Sequence, residues 1–288
     1  MKTLLVTGGN GMVGSYVSKA FSDWEIFNTD IDTLDVRDPA AVVKMVGDIK
    51  PDILLHLAAA TDVDLCEKEP DLAFHTNAIG TQNVALACQK YNTELVYIST
   101  AGVFDGTKPT PYTEFDLPNP LNVYGQSKLA GEHIVSTLLN RFYIFRAGWM
   151  IGGGHKDKKF VGKITSLLLS GLKEIRIVND KFGTPTFAYD LLVGIKSCLE
   201  TGYYGLYHMA NTGTCSRYDV ALEIQRIIGA DDVKLIPVNS AYFPLPAIRA
   251  RSEAMINYKW ELLSFVKQRT WQGALEEYLI NEYLPSVK

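Results

Sequence analysis

The chain has 288 residues, 47% of them hydrophobic and 21% charged, with 28 Lys and Arg against 32 Asp and Glu for a formal net charge of -4. That balance excludes a disordered chain and a mini-protein scaffold, and it offers no basic field for a nucleic-acid backbone, so small molecules or protein are the expected partners. No apolar run nears the ~18 residues that cross a bilayer, and Leu4-Leu5-Val6 is too short for a signal-peptide core, so a cytoplasmic, membrane-free protein is expected.

Thr3–Thr7 predicts a strand that runs into glycines and a helix over 12–22. A strand over 25–29, a helix over 39–46 stopped by Gly47, a strand over 52–57, a long helical region over 72–91 and a strand over 94–99 follow. Residues 100–123 hold Pro109, Pro111, Pro118 and Pro120 and predict a long functional loop, before a helix over 124–139 and a strand over 142–146. Further on, helices are expected over 157–170, 187–201, 217–228 and 271–283, with short strands near 175–178, 206–209 and 234–238. Continuous apolar strands alternating with helices predict a doubly wound α/β parallel sheet. The expected division is a dinucleotide-binding domain over 1–150 and a smaller α/β substrate-binding region over 151–288 that returns a strand and helix to the main sheet. Cys66, Cys88, Cys198 and Cys215 are dispersed, and His56, His75, His133, His155 and His208 show no ligand spacing, so free buried thiols and no metal are expected.

Two constellations carry chemistry. Gly8-Gly9-Asn10-Gly11-Met12-Val13-Gly14 leaves a strand and opens a helix, where missing side chains and free N–H groups suit a dinucleotide diphosphate. Asp30, 22 residues past Gly8, closes the second strand and can accept both adenosine ribose hydroxyls. In Tyr124-Gly125-Gln126-Ser127-Lys128 the i, i+4 spacing puts a phenol and an ammonium on one helix face, and Ser99-Thr100 ends a preceding strand. A free tyrosine titrates near ~10, so a nearby ammonium that stabilises phenolate would tune it for proton transfer.

The order glycine loop, strand-end Ser-Thr, Tyr-x-x-x-Lys resembles an extended short-chain dehydrogenase/reductase with a Rossmann fold. Within that superfamily the chain is most similar to the dTDP-4-dehydrorhamnose reductase family. Leu34-Asp35-Val36-Arg37-Asp38, His56 to Asp64, Asn77-Ala78-Ile79-Gly80-Thr81, Val103-Phe104-Asp105-Gly106 and Pro118 to Gly125 carry the resemblance, with Arg146-Ala147-Gly148-Trp149, Gly183-Thr184-Pro185-Thr186 and Arg249 to Lys259 downstream. It implies reduction of the 4-keto group of a nucleotide-linked 4-keto-6-deoxy sugar by NADH or NADPH, with Thr100, Tyr124 and Lys128 as the catalytic triad. Asp35 and Val36 would lie by the adenine, Leu57, Ala58, Ala59 and Asn77 would line the cofactor, and Val103, Phe104, Trp149 and Arg249 would face the substrate. In that reading Trp149 stacks on the sugar and Arg249 meets its diphosphate. The implied partners are the nucleotide-diphosphate sugar and, in a homodimer, a second copy of the chain.

Departures from the family pattern are Ala101-Gly102 in place of Asp-Tyr, Ala250 in place of a proline and Glu253 in place of a serine. Relatives often read Asp-Arg where this chain has Asp30-Ile31, and the lost cation favours NADH. Two alternatives share the pattern: a nucleotide-sugar epimerase, and a non-catalytic regulatory subunit resembling that of methionine adenosyltransferase.

Overall fold

The run Thr-Leu-Leu-Val-Thr forms β1 (Thr3–Thr7), with Leu4, Leu5 and Val6 all fully buried in the computed structural model, which describes residues 1–287. Both faces of the strand are covered. Leu4 and Val6 point into one core with Leu55, Val96 and Phe145, while Leu5 points into the other with Leu54, Leu95 and Ile144. A sheet sandwiched in this way needs apolar residues at every position, which is why the strands do not alternate. β2 (Glu25–Asn28), β3 (Ile53–His56), β4 (Glu94–Thr100) and β5 (Phe142–Ala147) join β1, and Gly205–His208 returns from the C-terminal half to pair with β5. All pairings in this six-stranded sheet are parallel, in the order Gly205–His208, β5, β4, β3, β1, β2. Chain order reverses between β1 and β3, so the crevice above their C-terminal ends is where an open α/β sheet binds ligands.

Several elements differ from expectation, each for a local reason. The helix over 12–22 is only a 3-10 turn at Gly14–Tyr16 followed by Val17–Ala20. Ser15 Oγ donates to the Met12 carbonyl, a local bond that competes with the helical ladder. Gly47 does not stop its helix, which starts on an Asp38 cap and runs over Pro39–Ile49 to a left-handed Lys50. Its missing side chain instead makes room for Tyr91, whose hydroxyl lies 2.6 Å from where a Cβ would stand. The long helical region divides into Val63–Lys68, Pro70–Phe74, a π turn at His75–Ile79 and Gly80–Tyr91.

The C-terminal half contributes helices Phe160–Leu169, Ala188–Leu199, Arg217–Ile228 and Trp271–Tyr278, plus a parallel pair formed by Glu174–Val178 and Lys234–Val238. Residues from Leu4 to Tyr283 share one core cluster. The four cysteines are free and buried. No helix among the described residues is long and apolar enough to cross a membrane.

The helix Val123–Leu138 is fixed to the sheet by a buried ion pair. Arg146 on β5 donates through Nε and Nη2 to the two oxygens of Glu132 at 2.9 and 2.6 Å, both side chains being only 4% exposed, and Ser99 on β4 donates to the same carboxylate. Removing one partner strands a buried charge, so Arg146→Met should lower stability by about 3–5 kcal/mol. The double variant Glu132→Leu/Arg146→Met should recover much of that loss in denaturant unfolding. Additive losses in the double variant would show that the two charges do not depend on each other.

Candidate functional site

A cavity of about 920 Å³ opens at the C-terminal ends of β1, β3, β4 and β5 and gathers residues from both halves of the chain. On its β1 side lie Gly8, Asn10, Gly11, Met12, Val13 and Gly14, with Asp30, Asp35, Val36, Leu57, Ala58 and Ala59 beside them. The loop is folded tightly by its own backbone. Gly8 has φ +69°, and a Cβ on it would stand 2.6 Å from the Ala58 nitrogen; a Cβ on Gly14 would stand 2.1 Å from the Gly9 carbonyl oxygen. Asp30 is tethered across the loop, accepting from the Asn10 and Ile31 N–H groups at 2.8 Å each. Arg37 also reaches the cavity, its guanidinium lying on Asp35 at 2.7–3.1 Å.

Thr100, Tyr124 and Lys128 meet on the far wall. Thr100 ends β4, and its Oγ1 accepts from the Gly102 N–H at 3.0 Å. Asn122 caps the helix that carries the other two, accepting from Gly125 N–H at 2.9 Å. Burial pushes Tyr124 up to about 12; the Thr100 hydroxyl opposes this shift and Glu253 adds to it. The same burial pulls Lys128 down to about 7, against the pull of Glu132. Lys128 Nζ lies 4.1 Å over the Tyr97 ring and makes no hydrogen bond or ion pair with another described residue. Burial outweighs every opposing influence on the tyrosine, and its shift is upward.

Three expected site residues stand elsewhere. Asn77 is fully buried behind the cavity, bonding both Ala60 main-chain groups and Ser127 Oγ, so it links the loop after β3 to the Tyr124 helix. Val103 and Phe104 are buried in a small core with Tyr112 and Met255. Phe104 stacks on Tyr112 at 4.1 Å and carries the Arg146 guanidinium over its ring, so its faces are used within the protein.

Trp149 and Arg249 do line the cavity, together with Lys159, Arg217 and Glu253. Arg249 is held by Asp64 at 2.9 Å. Trp149 adopts φ +45°, a left-handed backbone unusual for so large a residue. A Cβ on Gly183 would stand 2.3 Å from Trp149 Cε2 and 2.6 and 2.7 Å from Cδ2 and Cζ2, directly above the ring fusion. The Arg217 guanidinium carbon lies 3.6 Å from the ring centroid. The guanidinium thus covers part of the indole, and the ring lies close enough to Gly183 that no side chain fits between them. Its Nε1–H donates to Glu253 at 3.1 Å. Arg217 and Lys159 carry no motif or spacing that marks them in the sequence; Arg217 reaches the cavity because the Ser216–Asp219 capping box starts its helix there.

Lys128 gives the site a stability signature. Its amine prefers the neutral form when buried, so its charging cost is fully present below pH 7 and fades as pH rises from about 7 toward the ordinary lysine value of 10.5. In cofactor-free protein, Lys128→Met should raise the melting temperature, most strongly below pH 7, with the gap closing above it. A variant that melts lower than the parent at pH 6 would show that the ammonium is stabilised in place.

A family model described as RmlD substrate binding domain matches residues 1–284. The dTDP-4-dehydrorhamnose reductase of Mycobacterium tuberculosis is 33% identical over 99% of this chain and 97% of its own. A crystal structure of a dTDP-4-dehydrorhamnose reductase from Clostridium acetobutylicum superposes with a TM-score of 0.92 at 38% identity, covering 96% of this chain and 98% of that one. The Bacillus anthracis enzyme of that name, solved in complex with NADP, gives 0.93 at 37% identity, covering 97% and 99%. With its full-length match, parallel sheet and glycine loop, the chain belongs to the RmlD family of dTDP-4-dehydrorhamnose reductases.

Proposed function

We propose that the protein reduces the 4-keto group of a nucleotide-linked 4-keto-6-deoxy sugar at the expense of a reduced nicotinamide dinucleotide. The observation that carries this reading is the convergence of the glycine loop with Thr100, Tyr124 and Lys128 on one cavity. The dinucleotide fits the residues present. The Gly8–Gly14 backbone and the Asp30 carboxylate line one side of the cavity, and a buried amine without a protein acceptor lines the other, suited to ribose hydroxyls. When bound, the nicotinamide supplies the hydride that goes to C4. Tyr124, neutral at pH 7 because burial holds it near 12, donates its hydroxyl proton to the C4 oxygen, and the Thr100 hydroxyl hydrogen-bonds that oxygen as charge develops. Lys128, one helical turn away, stands where an ammonium offsets the phenolate left behind.

In this reading residues 1–150 hold the dinucleotide and 151–288 supply most of the substrate side, where Arg217, Lys159 and Arg249 bring positive charge to the sugar-nucleotide diphosphate. Trp149 lines the sugar side of the cavity. Tyr124→Phe keeps the ring and removes the proton, so turnover should fall by ~100-fold or more with little change in dinucleotide affinity. Near-normal turnover in that variant would overturn the mechanism. Oxidation of the cofactor in step with sugar product separates reduction from epimerisation, which leaves the cofactor pool unchanged.

The proposed cofactor preference is NADH. Asp30 lines the cavity with Ile31 after it, and Arg37, the nearest basic residue in that segment, is already bound to Asp35. The kcat/KM for NADH should exceed that for NADPH, and Ile31→Arg should narrow the ratio. A parent enzyme that favours NADPH would show that Arg37 leaves Asp35 to read the phosphate.

A further inference from the structure

Glu253 lies in the short segment that pairs with the Phe182 strand, its N–H donating to the Phe182 carbonyl at 2.9 Å. One carboxylate oxygen, Oε2, accepts from Trp149 Nε1–H. The other, Oε1, has no hydrogen-bond donor among the described residues and lies 3.8 Å from where a side chain would begin at Gly102. That same point is 3.3 Å from Thr100 Oγ1, and Thr100, Tyr124, Gly102 and Glu253 all line the one cavity. The carboxylate is thus aimed at the reacting end of the pocket, through space that the absence of a side chain at Gly102 leaves open.

It is also held there. Its anchor, Trp149, packs against the Arg217 guanidinium and closely against Gly183, and the half-buried guanidinium provides the nearby positive charge. A carboxylate accepts hydrogen bonds and donates none. It therefore cannot bind the C4 carbonyl oxygen, and it opposes the negative charge that builds on that oxygen during reduction. Its natural ligand is a donor on a neighbouring ring atom. In a 4-keto-6-deoxy sugar the two carbons flanking C4 carry a hydroxyl (C3) and a methyl (C5), and only the first has a proton to give.

Resting on the reductase reading above, we propose that Glu253 is a specificity-determining residue: its Oε1 accepts a hydrogen bond from the C3 hydroxyl, selecting ketosugars with a free hydroxyl there over those deoxygenated at that carbon. A site built around a half-buried acceptor disfavours the analogue that lacks the donor, because the acceptor then loses its partner on binding.

The test compares kcat/KM for a dTDP-linked 4-keto-6-deoxy sugar and its 3-deoxy counterpart in the parent, Glu253→Gln and Glu253→Ala. Glutamine keeps the shape and an oxygen for Trp149 Nε1–H, so a purely structural role survives in that variant. The parent should prefer the 3-hydroxy sugar by about 10-fold or more; Glu253→Ala should lose most of that preference, while Glu253→Gln, whose amide NH2 can donate to the hydroxyl oxygen, should keep part of it. A preference unchanged in Glu253→Ala, or a parent that treats the two sugars alike, overturns the assignment while leaving the reductase reading intact. A parent that oxidises no cofactor with either ketone overturns both.

Discussion

Glu132 lies one helical turn beyond Lys128 on the same helix, and its buried carboxylate is gripped by Arg146 from β5 and Ser99 from β4. Everything chemical in the molecule is set relative to that contact. The helix carries Tyr124 and Lys128, β4 ends in Thr100, and β5 leads into the Gly148-Trp149 turn, so one bidentate interaction ties together the three elements that form the far wall of the cavity. Apolar residues of similar volume could fill the same space. Two parallel N–H···O bonds add a defined register, and a defined register is what brings a hydroxyl, a phenol and an amine to one pocket. The stack of Phe104 on Tyr112 beneath the Arg146 guanidinium belongs to the same support, which explains why the Val103-Phe104 pair is buried rather than at the pocket wall.

The opposite wall depends on backbone closeness. Gly8 and Gly14 are required by contacts with Ala58 and Gly9 before any ligand is considered, because a side chain at either position would occupy main-chain atoms. The loops after β1 and β3 therefore touch at the point where chain order reverses, and the crevice is formed by the packing of the fold itself. Asn77 does the equivalent task between the loop after β3 and the Tyr124 helix, its amide satisfied on three sides. A π turn at His75–Ile79 carries it, a shift of helical phase that buries a polar side chain which a continuous helix would place differently.

The parallel sheet was legible because its strands are buried on both faces and read as unbroken apolar runs. The glycine loop and the Tyr124–Lys128 pair were legible because their spacing is local. Gly47 was misread as a stop because a glycine that admits the Tyr91 ring looks, in sequence, like a glycine that ends a helix. Two-residue strands such as Met150–Ile151 and Thr186–Phe187 have no periodicity to detect. The surroundings of Trp149 were hidden for a different reason: Gly183 and Arg217 approach its ring from parts of the chain distant in sequence, and no local pattern reports such contacts. Composition shows that an aromatic ring is present, but only the fold shows which of its surfaces remain free.

Burial moves the two titrating members of the site in opposite directions for one reason, the cost of charge in a dry environment. It holds the Tyr124 phenol neutral and draws the Lys128 ammonium toward neutrality near pH 7. Reduction of a ketone consumes a proton, and a neutral phenol is the form that can give one. In the proposed mechanism, burial is what keeps Tyr124 in the form that can donate a proton in the reductive direction. An amine balanced near neutral pH responds strongly to what enters the cavity: a dinucleotide and a nucleotide sugar each bring a diphosphate, and that negative charge favours the ammonium. In the proposed mechanism the lysine would gain its charge as the ligands assemble, at the stage when phenolate formation begins to need a counter-charge. On this account the ammonium acts on the proton transfer itself, while the resting ionisation of the tyrosine is a property of the pocket.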